Sequence, residues 1–194
     1  QQQQQQAQQQ VQQLAALAPM AENPAVFINT SPTLGSSDRR YVLYEFSDFQ
    51  CPFCARSAPI VKEFIEKRGD EVTLVYKHFP LERIHPEAVP AAIASRAAQQ
   101  QGKFWEYHDE LFVRQKALGE ETYVAIARDL ALDLDRFNAD REKAEADVRL
   151  DVALGDRLGV RGTPFFALNG IPLVGAPSVE QFDALLERAK QSPS

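Results

Sequence analysis

Tyr41-Val42-Leu43-Tyr44-Glu45-Phe46-Ser47-Asp48-Phe49-Gln50-Cys51-Pro52-Phe53-Cys54 reads as a strand running into the start of a helix, with two thiols at the junction. Apart from Glu45, its first six residues are aromatic, β-branched or aliphatic, a composition that suits a buried strand. Pro52 fits the first helical turn, where its missing N–H removes no intrahelical bond. Cys51 and Cys54 are the only cysteines among the 194 residues, so they belong to no structural disulfide framework. Two thiols this close can form a small disulfide and reopen it. Cys51, at the helix start, is expected to be a solvent-accessible nucleophile, because free helix N–H groups stabilise a thiolate. Cys54 lies one turn deeper, placed to resolve a mixed disulfide.

A helix terminus gives a nearby anion about 0.3–1 kcal/mol, or roughly 2 when partly buried. At about 1.4 kcal/mol per pKa unit, the helix alone lowers the Cys51 pKa by about one unit. Gln50, Phe53 and Thr163 are near enough to matter, but none is a cation. A structural zinc site would need two further ligands. His78, His85 and His108, the only histidines, lack finger-like spacing, so no metal is expected.

Glu45 lies near the middle of the apolar strand, where burial would raise its pKa. It is read as a proton acceptor for the Cys54 thiol when the mixed disulfide resolves. Alternation puts it on the face of Leu43, opposite Tyr44 and Phe46, and leaves a solvated edge position as the alternative.

Outward from this stretch, residues 1–24 are a Gln-rich segment that reads as a mobile tail or spacer, with a short amphipathic helix over 11–18 as the alternative. Ala25 to Asn29 is expected to be a first, edge strand, and Ser31 to Arg40 a loop. After Cys54, Ile60, Val61, Phe64 and Ile65 mark a helix up to Gly69, kinked at Pro59. Val72 to Tyr76 is a second strand. Residues 85–158 read as about four helices, with breaks near Gln101-Gly102, Leu118-Gly119 and Leu132-Asp133. Phe104, Trp105 and Phe112 are assigned to the core of that lobe. Asp133 to Arg149 is assigned to a solvated helix face, and His78 and His85 receive no catalytic role.

Thr163 to Leu168 then reads as a strand, Asn169-Gly170 as a two-residue hairpin, and Ile171 to Val174 as its antiparallel return. Ser178 with Gln181 forms a capping-box pattern opening the last helix. Phe165 and Phe166 fill the sheet core, with a place for one of them beside a substrate groove. Proline at the start of a strand occupies a special position. X–Pro bonds are cis in only about 5–6% of folded cases, so composition alone favours trans at Pro164. If that bond is cis, the residue 163 backbone faces the dithiol and can pair with an extended substrate. Strand, helix, strand, helical block, hairpin and helix, in that order, describe an α/β thioredoxin fold: a mixed central sheet flanked by helices, with an inserted helical lobe. The parts are 25–84, the inserted 85–158, and 159–194.

The net charge of −6 gives no electrostatic reason to expect nucleic acid or an anionic membrane surface as partner. No apolar run approaches the roughly 18 residues of a membrane span. Because the chain begins at Gln1 rather than Met, it is expected to have lost an N-terminal piece, such as a cleaved export signal.

Glu45 to Cys54, His78-Phe79-Pro80-Leu81, Gly102-Lys103-Phe104-Trp105 and Gly159 to Phe166 follow one another in an order that closely resembles the DsbA-like thiol-disulfide oxidoreductases. The resemblance covers about residues 25 to 190. It implies a cis bond before Pro164, Cys51 as the exposed attacking thiolate, and Glu45 as the buried acid. It also implies no cofactor beyond the Cys51–Cys54 disulfide, with Pro52, Phe53, Thr163 and Phe165 flanking the substrate. The implied setting is extracytoplasmic, a periplasm or its equivalent. The implied partners are unfolded or reduced exported proteins and a membrane reoxidising partner of the DsbB or vitamin K epoxide reductase type. The chain is expected to be a monomer. Phe53 departs from the His of the best-known oxidases, which weakens any inference of an equally strong oxidant. A disulfide isomerase or reductase, with residues 11–18 as a dimer contact, and a redox-regulated protein-binding module are the alternatives.

Overall fold

The computed structural model describes residues 2–191. Helices α1 (Gln2–Glu22) and α2 (Pro24–Ile28) precede strands β1 (Thr33–Gly35) and β2 (Tyr41–Ser47). Then come helix α3 (Pro52–Arg68), strand β3 (Val72–His78), and helices α4 (Ala88–Gln99), α5 (Phe104–Val113), α6 (Glu120–Asp129) and α7 (Leu134–Arg157). A short 3-10 turn (Gln115–Ala117) separates α5 from α6. Strands β4 (Phe165–Leu168) and β5 (Ile171–Val174) and helix α8 (Val179–Gln191) follow.

The strands form one five-stranded sheet in the order β1-β3-β2-β4-β5. β2 lies parallel to β3, and the crossover this pairing needs is supplied by α3. β4 runs antiparallel to β2, and β5 antiparallel to β4. Side chains alternate across β2, as the strand period requires. Val42, Tyr44 and Phe46 join Val75, Phe165 and Ala167 on one face, under Leu17, Met20, Ile28 and Leu158. Leu43 shares the other face with Leu74, Phe166 and Leu168, covered by Val61, Phe64 and Ile65 of α3 and by Phe182, Leu185 and Leu186 of α8. A third cluster fills the helices between β3 and β4, around Phe104, Tyr107, Leu111, Ile126 and Phe137.

Local chemistry fixes the connections. Asn169 and Gly170 have φ of 45° and 78°, the left-handed pair that a tight hairpin needs. The Asn169 Oδ1 also accepts the Val42 N–H at 2.8 Å. At α8 the Gln181 N–H donates to Ser178 Oγ, and the Ser178 N–H to Gln181 Oε1. That is the reciprocal cap read in the sequence. Gly155 lets α7 press on the sheet, since a Cβ there would lie 2.6 Å from the Phe79 ring.

The segment before β2 differs from expectation. Residues 2–22 form a helix rather than a tail, and its C-terminal part is anchored by Leu17 and Met20, both fully buried. Each such side chain stabilises by roughly 1.5–3 kcal/mol. Ala25 to Asn29 is not an edge strand: Pro24 starts helix α2 there, and Ile28 is buried against the sheet. The edge strand is instead β1, inside the segment read as a loop, paired antiparallel with Thr73 to Val75.

Buried charges tie the lobe to the sheet. The Arg96 guanidinium of α4 donates to the Thr30 carbonyl and to Asp147 of α7. Lys77 meets Asp151 at 3.2 Å, and the other Asp151 oxygen accepts the His78 N–H. Desolvation raises the Asp151 pKa and lowers that of Lys77.

Candidate active site

Between β2 and α3 the chain must turn sharply, and Asp48 organises that turn. Its carboxylate accepts the Gln50 N–H at 2.7 Å and the Leu81 N–H at 2.9 Å, and it sits 2.7 Å from His85 Nδ1. Its carbonyl accepts the Cys51 N–H. The helical lobe grips the same turn, because the Gln115 amide donates to the Phe49 and Cys51 carbonyls at 2.8 and 3.0 Å. Asp48, His85 and Gln115 were given no role from sequence. Asp48 was visible within the quoted motif, whereas Gln115, over 60 residues away, carried no pattern that would single it out.

Cys51 caps α3 and Cys54 lies in its first turn, both as free thiols. The Thr163–Pro164 bond is cis. It brings the Thr163 carbonyl to 3.5 Å from the Cys51 sulfur, which donates to it as a thiol. Cys51 is only 3% exposed, so the expected solvent-accessible position is corrected. The Thr163 backbone and the dithiol turn close over the sulfur.

The two thiols are driven in opposite directions. Cys51 falls from 9.0 to about 5. The largest cause is the Cys54 thiol hydrogen-bonding to it. Burial opposes this, and the Thr163 side chain and the Cys54 and Phe53 backbone N–H groups then add to the lowering. The drop exceeds the single unit a helix terminus supplies, because specific donors converge on one sulfur. Cys54 is completely buried, and desolvation first, then the hydrogen bond it gives to Cys51, pushes its pKa far up. One sulfur holds charge cheaply while its neighbour holds a proton.

Glu45 lies on the central strand, opposite Tyr76 of β3 and Phe166 of β4. It is 1% exposed, so the solvated edge position is excluded. Burial raises its pKa from 4.5 to about 7, against a smaller lowering by Ser47. At neutral pH it can both give and take a proton.

Around the dithiol, Pro52 and Phe53 are exposed, and Thr163 is half-buried. The Phe53 ring is 54% exposed and carries the Arg56 guanidinium 4.4 Å from its centroid. The Phe165 ring, by contrast, is buried edge-on to Phe46. Its side chain fills the core instead of flanking a groove, because strand alternation turns it to the face under Leu17 and Met20. His78 is fully buried among Phe49, Tyr76 and Phe104, and desolvation keeps it neutral. Among the described residues, no three His, Cys, Asp or Glu side chains gather as a metal site.

A family model described as thioredoxin matches residues 28–188. Curated relatives include the Na(+)/H(+) antiporter NhaA 3 of Salinispora tropica, 37% identical over 158 residues, covering 80% of this chain and 24% of the relative. The Na(+)/H(+) antiporter NhaA of Herminiimonas arsenicoxydans is 33% identical over 175 residues, covering 89% of this chain and 28% of that protein. The chain thus spans about a quarter of the length of these relatives. Among solved structures, a thioredoxin-like oxidoreductase from Silicibacter pomeroyi DSS-3 superposes with a TM-score of 0.75 at 27% identity, covering 85% of this chain and 95% of that one. The thiol-disulfide exchange protein alpha-DsbA2 from Wolbachia pipientis gives 0.79 at 19%, covering 92% and 97%. The catalytic domain of Proteus mirabilis ScsC gives 0.76 at 21%, covering 89% and 97%. These two share this chain's fold, a mixed sheet flanked by helices.

Proposed function

This chain belongs to the thioredoxin family, and we propose that it introduces disulfide bonds into exported proteins by dithiol-disulfide exchange through Cys51 and Cys54. The observation that carries the proposal is the Cys51 thiol, held near a pKa of about 5 by converging donors. Stabilising the reduced form in this way makes the disulfide a stronger oxidant.

The exchange runs in two balanced steps. A substrate thiolate attacks Cys51 Sγ in the Cys51–Cys54 disulfide. The intramolecular S–S bond breaks, a Cys51–substrate disulfide forms, and Cys54 leaves with the electron pair. A thiolate buried this deeply is a poor leaving group, so it takes up a proton originating on Glu45. The substrate's second thiolate then attacks its own mixed-disulfide sulfur, releasing an oxidised substrate and the Cys51 thiolate. The protein is now reduced by two electrons and the substrate oxidised by two. Run backwards, Cys54 resolves the mixed disulfide and Glu45 accepts its proton. Pro52 and the exposed ring of Phe53 present an apolar rim, and the Thr163 backbone a strand-like edge, to an extended substrate.

On this reading the domain works where disulfides persist, outside the cytoplasm. Its partners are unfolded or reduced exported proteins and a membrane oxidant of the DsbB or vitamin K epoxide reductase type. The domain acts as a monomer. Among the described residues no helix is long and apolar enough to cross a membrane.

The test is the Cys51–Cys54 reduction potential in a glutathione buffer. A value well above the roughly −220 to −260 mV of the glutathione pool supports the oxidase. A value near the about −270 mV of cytosolic thioredoxin overturns it in favour of a reductase.

A further inference from the structure

Four buried polar atoms, Glu45 Oε1, Ser47 Oγ, Tyr76 OH and Thr163 Oγ1, lack a well-aligned hydrogen bond to any described protein group, and Ser47 and Thr163 lie within reach of the Cys54 thiol. Buried polar groups are nearly always paired, so such a cluster beside a reactive thiol calls for an account. Its arrangement follows from the sheet. Glu45 and Ser47, two residues apart on β2, point to the same face, and Tyr76 is the cross-strand neighbour of Glu45. Ser47 is 1% exposed. Its hydroxyl lies close enough to interact with Cys54, Glu45 and Tyr76 alike, without a well-aligned bond to any of them.

A second, independent feature reaches the same carboxyl. A crevice of about 230 Å³ runs between α3 and α5, from exposed Lys62 and Glu106 to buried Leu74 and Glu45. Lys62 and Asp109 pair across it at 3.2 Å. His108, buried beside it, sits 2.9 Å from Asp109.

We propose that the Ser47 hydroxyl passes the proton between Glu45 and Cys54, and that Glu45 exchanges that proton with solvent through the crevice between α3 and α5. The inference rests on the dithiol exchange described above. When a substrate thiolate opens the Cys51–Cys54 bond, Ser47 gives its hydroxyl proton to the departing Cys54 sulfur and takes the Glu45 proton. Cys54 ends as a thiol, Ser47 is unchanged, and Glu45 is left as a carboxylate that the crevice reprotonates from water. A hydroxyl suits this task because it donates and accepts at once.

The groups facing Glu45 do not compete for the role. Burial holds Tyr76 and Cys54 protonated from β3 and α3, and keeps His108 neutral on α5. The Asp109 carboxylate is stabilised by His108 and Lys62. Glu106 and Lys62 are exposed at the mouth. Ser47 is the group that interacts with both Glu45 and Cys54.

The experiment compares Ser47→Thr with Ser47→Val in the full chain. The two are matched in shape and differ only in the hydroxyl. Reduction of the Cys51–Cys54 disulfide by glutathione is followed between pH 5 and 9, the span from the Cys51 midpoint to an ordinary thiol. Rates are corrected for the glutathione thiolate fraction. A general acid contributes about 10²–10⁴-fold. The Val variant should therefore be at least about 10-fold slower than Thr at the acid end, and should lose the inflection near pH 7 that Glu45 imposes. Equal rates and equal profiles for Thr and Val would overturn the relay. If both β-branched variants fail to fold, Ser47→Ala against the parent chain gives the same contrast. Failure of the exchange reading looks different: the parent chain itself would not react with glutathione.

Discussion

Cys51 and Cys54 are three residues apart on one helix turn, yet their surroundings oppose each other. Cys51 meets donors: the Cys54 thiol, the Thr163 side chain and two backbone N–H groups. Cys54 is dominated by burial, which outweighs the Ser47 and Thr163 side chains beside it, and burial has also raised the Glu45 carboxyl on β2 to about 7. The lesson is that a dithiol becomes directional when the first sulfur is solvated by the protein and the second is not. Charge then rests on the outer sulfur, and the proton on the inner side.

The sharpest break in this asymmetry is Cys51→Ala, which should abolish disulfide exchange with any substrate in a thiol-oxidation assay. Residual activity at the parent rate would mean that Cys54 alone suffices. Next in size is Glu45→Gln. A carboxyl whose folded pKa is about 7 rather than 4.5 binds its proton more tightly when folded. Stability therefore falls as pH rises from about 4.5 through 7, by roughly 3 kcal/mol in total. Urea unfolding should find Glu45→Gln more stable than the parent by that order at pH 8, and little different at pH 4. It should also be slower in exchange.

Cys54→Ala removes the largest single cause of the low Cys51 pKa, so the Cys51 midpoint should climb by one or more units. Iodoacetamide trapping across pH would read that rise. Thr163→Val is the mildest: one hydrogen bond is worth about 1 kcal/mol, so the same midpoint should rise by less than about one unit. A larger rise would place Thr163, rather than Cys54, as the main support of the thiolate.

What could be read in the sequence followed from local rules. The β2 alternation, Pro52 at a helix start, the Asn169-Gly170 turn and the Ser178/Gln181 cap each depend on residues within a few positions of one another. What escaped depended on distant partners. β1 is three residues long, exposed, and exists because Thr73 to Val75 pair with it. The Val26-Phe27-Ile28 run has strand composition, but Pro24 and packing against the sheet make it helical. Nothing near residues 2–22 announces that Leu17 and Met20 find a slot on the sheet. In the site, the two cysteines and Glu45 were legible from position alone. The coverage of Cys51 by Thr163, the grip of Gln115 and the burial of the Phe165 ring were not, because each arises where separated segments meet.

The same asymmetry carries a pH signature in the reduced protein. A thiol lowered from 9.0 to about 5 stabilises the fold fully above the upper value, and that contribution is lost as pH falls through the lower one. The most direct measurement is the thiolate ultraviolet absorbance of the reduced protein, titrated alongside Cys51→Ala. The expected result is one ionisation with a midpoint near 5, absent from the variant. A midpoint near that of an unperturbed thiol, or an ionisation that survives in Cys51→Ala, would contradict the account.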